Sequence, residues 1–332
     1  MRGKPGSFRR KEEAMTMKYA AKRIVMLLVT MVIVSLLAFV AFTLVHGDPA
    51  ELLLGTEATP AKVAALREEM GLNRPLPVRY LSWAAGFFTG NLGTSYSYHV
   101  PVAELVAQKA PLTLALALLS FVLIVAVSIP LGMRSAGREG PLDGVRAVCN
   151  QLLMAVPPFF TGILLTWVFG IVLHWFTPGK IPEFSGHPVD FWKYLLFAAV
   201  SIAAPRIAMT LRMLRSTISH EMRQDYVRTA ISRGNDRRGV LYRHVLKNAV
   251  VPVVTFLGQT MAEIVAGSIV VEQVFSIPGL GRLLLASIGN RDWPVVQAIV
   301  VILAFWVVLA GTVADLVSQR IDPRLRLGGG AR

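Results

Sequence analysis

The chain has 332 residues, of which 54% are hydrophobic and 16% are charged, and its mean hydropathy is +0.55. Soluble domains carry about 25% charged residues, and one core of this size could not hide so much apolar surface. The composition excludes disorder, a coiled coil and a disulfide scaffold, and it predicts an integral membrane protein. The single cysteine, Cys149, excludes an internal disulfide and any multi-cysteine metal site.

Six stretches are long and apolar enough to cross a bilayer, which requires about 20 mostly apolar residues. They are residues 24–45, 112–133, 152–173, 191–211, 249–271 and 295–317. The first reads as a membrane anchor because its apolar run exceeds the roughly 7–15 residues of a signal-peptide core. The fourth contains Lys193 and Arg206, the fifth Glu263 and the sixth Asp315. Prolines at 157, 158 and 205 are expected to kink the third and fourth spans.

The connection at 46–111 is long enough to hold structure of its own. Thr59 and Pro60 are typical of a helix start, and Gly71 is typical of a helix end. Two more helices are predicted at 77–88 and 101–109. We therefore predict a small helical cap outside the cytoplasm.

Positive charge alternates from one connection to the next. Connections 1–23, 134–151, 212–247 and 318–332 hold 24 of the 34 Lys and Arg, whereas 46–111, 174–190 and 272–294 hold 8. Because basic connections stay in the cytoplasm, both termini are predicted to be cytoplasmic. The formal net charge of +14 is then explained by topology, which argues against a nucleic-acid partner.

These patterns divide the chain into five parts. They are a cytoplasmic basic N-terminus (1–23), a first transmembrane helix (24–45), an extracytoplasmic cap (46–111), a five-helix core (112–317) with the cytoplasmic loop 212–247, and a cytoplasmic tail (318–332).

The loop 212–247 carries nine basic residues, more than a passive turn needs. Amphipathic spacing continues the fourth span as a helix, Gly234 breaks it, and Asn235 or Asp236 can cap a new one. Two helices are therefore predicted to meet at a glycine corner. Such a helix suits docking into a groove of a partner, although a helix lying on a membrane surface has a similar pattern.

Residues 225–230 read Asp-Tyr-Val-Arg-Thr-Ala, Gly234 follows, and 243–249 read Arg-His-Val-Leu-Lys-Asn-Ala before Pro252. This sequence resembles the cytoplasmic coupling loop of ATP-binding-cassette (ABC) importer permeases. That loop is known for Glu-Ala-Ala, three residues and then Gly. Here the triplet is Arg228-Thr229-Ala230, and Lys247 stands where many members have proline. Both departures are typical of the peptide/nickel branch, whose members resemble dipeptide and oligopeptide permease B subunits.

Further stretches resemble the same branch, in the same order along the chain. They are residues 47–50, 71–77, 92–95, 274–282, 290–297 and 322–324. Each is weak evidence alone, but together they cover the chain from about residue 20 to 327.

The resemblance implies a type I ABC importer permease fold with six transmembrane helices, in a bacterial or archaeal cytoplasmic membrane. It also implies a second related permease, two ABC ATPase subunits and an extracytoplasmic solute-binding protein. ATP and Mg would be used by the ATPase subunits, with no cofactor in this chain, because the sequence lacks the G-x-x-x-x-G-K-[ST] phosphate loop. The substrate is left open between short peptides and nickel or a metal chelate.

The residues expected to couple the chain to the ATPase lie around the glycine corner. They are Asp225, Arg228, Thr229, Ala230, Gly234, Asn235 and Asp236. Glu263 is a second candidate, because a carboxylate inside a span should face a wet cavity or be paired. It could line the translocation pathway and favour a cationic substrate, or it could bind Arg206 or the partner permease. The six histidines have no ligand spacing, so no metal site and no catalytic site are predicted.

Two other classes of function are weighed against the importer. An ion-coupled secondary transporter is expected to show an internal repeat and paired broken spans, and the sequence shows no repeat. A membrane-embedded enzyme needs clustered acids, histidines or a nucleophile near one face, and Glu263 and Asp315 lie in different spans with a loop between them.

Overall fold

The computed structural model describes residues 5–44, 48–135 and 143–321. Within these ranges all regular structure is helical, apart from one isolated antiparallel bridge between Thr94 and Pro101. The all-α prediction is therefore confirmed. Gly47 and the closing stretch 322–324 lie outside the described residues, as does most of the predicted tail 318–332.

The α-helices are numbered in chain order. They are α1 Pro5–Leu44, α2 Pro49–Leu54, α3 Pro60–Glu69, α4 Leu76–Thr89, α5 Val102–Ser135, α6 Asp143–Ala155, α7 Pro158–Leu165, α8 Pro188–Glu221, α9 Asp225–Ser232, α10 Arg237–Val240, α11 Leu246–Val274, α12 Leu280–Gly289 and α13 Trp293–Ile321. A 3₁₀ turn at Gly55–Glu57 follows α2, and π-helical segments at Thr166–Val172 and Leu241–Val245 follow α7 and α10.

Five helical segments in the described ranges are long and apolar enough to cross a membrane. They are Ile24–Thr43, Val102–Ser135, Pro188–Glu221, Arg237–Val274 and Trp293–Ser318. They contain most or all of the predicted first, second, fourth, fifth and sixth spans. A sixth crossing exists only if the bent pair α6 and α7 counts as one span, so the count of six stays a prediction.

The third predicted span, 152–173, is not one continuous helix. The chain bends by 99° between Gly144–Ala155 and Pro158–Val172. The two prolines explain the break: Pro157 precedes α7 in an extended conformation and Pro158 is its first residue, and a proline cannot donate to the preceding turn. The kink expected from this pair is therefore a sharp corner, whereas Pro205 lies inside the uninterrupted helix α8.

The chain forms two compact units. Among the described residues, the first consists of 5–25, 114–135, 143–277 and 307–321. Helix α8 is its most buried element and packs against α6, α7 and α11. The hydroxyl of the fully buried Tyr194 donates to the carbonyl oxygen of Phe275, which fixes the start of α8 against the end of α11.

The second unit consists of residues 26–113 and 278–306. The predicted helices beginning at Pro60 and near Pro77 are confirmed as α3 and α4. The Thr59 side chain caps α3 by accepting from the amide of Lys62 at 3.4 Å, and Gly71 has a φ of +66°. The third predicted helix, 101–109, is the first part of α5 and continues into the second span without a break.

Candidate functional site

The predicted glycine corner is present between α9 and α10. The fourth span does not continue unbroken to Gly234 as predicted: α8 ends at Glu221, and a separate helix, α9, runs from Asp225 to Ser232. The Asn235 side chain then donates to the carbonyl oxygen of Ala230 at 3.0 Å, satisfying a helix-end acceptor. Gly234 has a φ of +87°, a left-handed conformation that glycine adopts without strain. The corner therefore has a specific backbone shape that depends on this glycine.

Asp236 starts the second helix of the corner. Its carboxylate accepts from the amide of Gly239 at 3.2 Å, the geometry of an N-cap. The helix passes through the π-helical segment and runs into α11. The corner is thus joined directly to a spanning helix.

One side of α9 is fully open to solvent. The Asp225 and Arg228 side chains are 97% and 80% exposed, with 3.8 Å between Oδ1 and Nη1. Exposed pairs of this kind contribute little to stability. The Thr229 hydroxyl donates to the carbonyl oxygen of Asp225 at 3.0 Å, so it satisfies its own helix. The charged groups are left accessible to another protein.

The corner is amphipathic. Val227, Val240 and Val245 are buried and attach it to the rest of the first unit. Ile231 and Tyr242, by contrast, are about half exposed. Apolar side chains exposed beside charged ones are typical of a surface that binds a partner.

A hydrogen-bond relay that was not predicted ties the corner to two spans. The Tyr226 hydroxyl donates to Oε2 of Glu221 at 2.7 Å, and Nδ2 of Asn248 donates to that hydroxyl at 3.3 Å. Partial burial, followed by the bond to Glu221, raises the pKa of Tyr226. The relay joins the end of α8, α9 and the start of α11, so a movement of α9 would be transmitted to both spans.

Glu263 forms an ion pair with Arg206, through Oε2 and Nη1. This is one of the alternatives that the sequence left open. The pair joins α11 to α8, and the two side chains are 51% and 24% exposed. The pair is therefore open on one side, where it can meet water, substrate or another subunit.

In the second unit, Asp292 joins two stretches that the sequence could not connect. This fully buried carboxylate accepts from the Ser95 hydroxyl at 2.5 Å and from the amides of Tyr96 and Ser97 at 3.0 and 3.2 Å. Burial, with the charge of Asp292 as the second cause, raises the pKa of Tyr96 to about 12. Residues 92–95 and 290–297 thus form one structural element, which borders a cavity of about 1110 Å³.

Two family models match the chain. Residues 128–327 match the model described as binding-protein-dependent transport system inner membrane component, and residues 16–117 match its N-terminal companion. The chain belongs to this family. The first match contains α8 to α11 and the whole glycine corner.

Curated relatives match nearly end to end. The probable peptide ABC transporter permease y4tP of Sinorhizobium fredii is 34% identical over 93% of this chain and 99% of its own length. The oligopeptide transport system permease AppB of Bacillus subtilis is 34% identical over 92% and 98%. The glutathione transport system permease GsiC of Salmonella choleraesuis is 33% identical over 93% and 99%.

These matches establish the class of protein. The chain is a membrane-embedded permease of an ABC importer, a transporter subunit and not an enzyme. Membership implies that it works with ATPase and binding-protein components.

Proposed function

We propose that this chain forms half of the translocation pathway of an importer for short peptides, beside a second related permease. The glycine corner of Gly234 docks into an ATPase subunit. The observation that carries the proposal is the form of the corner: it is exposed and charged at Asp225 and Arg228 and tied to two spans through Tyr226.

The mechanism follows from that connection. ATP binding closes two ATPase subunits and moves the docked helix α9. The hydrogen bond of Tyr226 to Glu221 passes the movement to α8. Helix α10 leads through the π-helical segment into α11, so it passes the movement to that span. The packed spans then rock as rigid bodies, opening the pathway alternately to the two sides of the membrane.

Short peptides are the substrate class that the relatives support. The three relatives named above are peptide, oligopeptide and glutathione permeases, and none of those three names mentions nickel. The cytoplasmic placement of the corner and of both termini rests on the excess of Lys and Arg in the connections on that side.

The Arg206–Glu263 pair is our candidate for the pathway. An ion pair on a lipid-facing surface is costly, so its open side is expected to face water or the partner permease. A lone carboxylate would attract any cation, whereas a pair offers an acceptor for the amino terminus of a peptide and donors for its carboxylate. The pair therefore suits a zwitterionic peptide better than a bare metal ion.

The docking assignment can be tested by cross-linking in the assembled importer. In a Cys149→Ser background, Arg228→Cys is expected to cross-link to an ATPase subunit through a bifunctional thiol reagent, with a yield that changes on adding ATP. Lys180→Cys, exposed in the connection between the third and fourth spans, is the matched control. Cross-linking of Lys180→Cys but not Arg228→Cys would reverse the proposed orientation.

A further inference from the structure

Helix α4 belongs to the connection that the sequence predicts to lie outside the membrane, yet it packs against the membrane-spanning part of α1. The hydroxyl groups of Tyr80 and Ser35 share a hydrogen bond of 2.9 Å, and the Tyr80 hydroxyl lies 3.5 Å from the carbonyl oxygen of Val32. The Phe39 ring packs edge-on against the Tyr80 ring, with 5.5 Å between their centroids. These contacts fix α4 beside residues 32–39 of α1.

The contacts of Tyr80 lie at the depth of the hydrocarbon. The apolar span of α1 runs from Ile24 to Thr43. At a rise of about 1.5 Å per residue, Phe39 lies about 6 Å and Ser35 about 12 Å inside the end at Thr43. The hydrocarbon core of a bilayer is about 30 Å thick, so both residues lie within the half of the core nearer to Thr43.

The exposed face of α4 is apolar. Val78, Leu81, Ala85 and Phe88 share one helical face, and all four are exposed, with 65% exposure at Leu81 and 87% at Phe88. Arg79, the one charged residue of this helix, lies on another face, where it lines the cavity of about 1110 Å³ in the second unit. The outward face therefore offers hydrocarbon and no charge.

The polar groups at the end of α4 bind within the helix. The Thr89 hydroxyl donates to the carbonyl oxygens of Ala85 and Gly86 at 3.3 and 3.1 Å, and the amide of Asn91 donates to that of Gly86 at 2.8 Å. Unpaired polar groups are costly in lipid, and these need no water. Tryptophan, present here as Trp83, is enriched where a membrane meets water. Helix α4 is thus suited to a position in the bilayer.

We propose that α4 is inserted in the outer leaflet of the membrane, with Val78, Leu81, Ala85 and Phe88 in contact with phospholipid acyl chains. A helix with one apolar face and one polar face is typical of this position. The depth of the Tyr80 contacts is the observation that favours lipid. A surface that binds the extracytoplasmic protein would have to lie in water, beyond the end of the α1 span.

The test is spin-label accessibility in the assembled importer, held in lipid nanodiscs. In a Cys149→Ser background, a nitroxide on Leu81→Cys or Phe88→Cys is exposed to oxygen, which concentrates in hydrocarbon, or to a polar nickel chelate, which stays in water. Leu37→Cys, at a site 64% exposed on the α1 span, is the lipid reference. Ala65→Cys, exposed in α3, is the water reference. We expect the ratio of oxygen to chelate collisions at both α4 sites to match the lipid reference and to exceed the water reference several-fold.

Two results overturn the proposal. Chelate collisions at Leu81→Cys as frequent as at Ala65→Cys would place the face in water. Few collisions with either reagent would mean that another subunit covers it.

A second measurement applies if the labelled variants do not assemble. In whole membranes, a thiol in hydrocarbon stays protonated and unreactive, so Leu81→Cys should resist N-ethylmaleimide while Ala65→Cys is modified. This reagent crosses membranes, so the result does not depend on the orientation of the chain. Equal modification of the two variants also overturns the proposal.

Discussion

Gly234 allows a backbone effect to be separated from a packing effect. A Cβ built on it meets no heavy atom within 4 Å, so a substitution acts only through its φ of +87°. In this left-handed conformation a residue other than glycine is destabilised by about 1–2 kcal/mol. That lowers the population of the corner conformation about 5- to 30-fold. Gly234→Val is therefore expected to lower ATP-driven uptake at least fivefold while the ATPase subunits still hydrolyse ATP.

The control for that change is Gly234→Asn, because asparagine tolerates the left-handed region. It should retain most of the uptake in the same proteoliposomes. Normal uptake and normal coupling in Gly234→Val would mean that the corner does not transmit the movement.

The Arg206–Glu263 pair calls for a double-mutant cycle. Glu263→Gln leaves Arg206 without its counter-charge, and the resulting destabilisation should be below the roughly 3–5 kcal/mol of a fully buried pair because Glu263 is half exposed. Adding Arg206→Gln should restore the unfolding temperature. Peptide uptake should stay low in the double variant if the pair lines the pathway. Normal uptake by a stable double variant would remove the pair from the pathway.

At the scale of single residues, the spacing of residue types predicted the glycine corner. It did not predict the hydrogen bonds that hold the corner to the spans. Gly234 was identifiable because helix ends have local rules, and the same rules narrowed the cap of the next helix to Asn235 or Asp236, of which the structure shows Asp236. The bonds of Tyr226 to Glu221 and Asn248 depend on tertiary geometry, which residue types alone do not encode. Arg206 was only one of the partners that the sequence offered to Glu263.

At the scale of elements, Asp292 organises the loops of the second unit. A hydrogen bond to a charged group contributes about 1.5–3 kcal/mol, and this carboxylate accepts three. Asp292→Asn keeps the shape but removes the charge, so we expect it to destabilise the unit by about 2 kcal/mol and to expose residues 92–97 to protease. Glu57→Gln, which alters an exposed pair with Lys62, is the control and should change little. Equal protease resistance of the two variants would contradict this role.

Helices α11 and α13 pack closely at Gly258. A Cβ there would lie 1.8 Å from Cβ of Ala314, and the Thr255 and Ser318 hydroxyls form a hydrogen bond of 2.9 Å between the same two helices. Gly258→Ala is expected to cost about 1–3 kcal/mol by overpacking, measured as a lower unfolding temperature. Gly267→Ala, in the same helix but with no heavy atom within 4 Å of its Cβ, should be neutral or slightly stabilising.

Helices marked by a long apolar run or by capping residues could be predicted from the sequence. Helices whose position depends on tertiary contacts could not. Long apolar runs predicted the five helices that are long enough to span a membrane. Thr59 and Pro60 predicted the start of α3, and Gly71 predicted its end. Helix α2 has only six residues, too few for a periodic pattern to stand out, and α12 starts after Gly279 without a side-chain cap to mark its beginning. The sharp corner before Pro158 was expected only as a kink, because a proline pair shows where a helix breaks and not by how much.

At the scale of the whole molecule, the ordered set of weak resemblances correctly gave the family. The folded chain brings distant stretches together, as Asp292 does with Ser95, and such pairings cannot be found from spacing when residues lie almost 200 positions apart. The orientation of the chain in the membrane and the identity of the partner subunits remain predictions.

We expect this chain to move peptide across the membrane only when ATPase subunits drive its conformational change, and not by itself. The direct measurement is uptake of a labelled short peptide into proteoliposomes that hold the chain alone or together with its sister permease, its ATPase subunits and its binding protein. We expect uptake only in the complete system and only with ATP. Uptake by the chain alone, driven by an ion gradient and indifferent to ATP, would contradict this role.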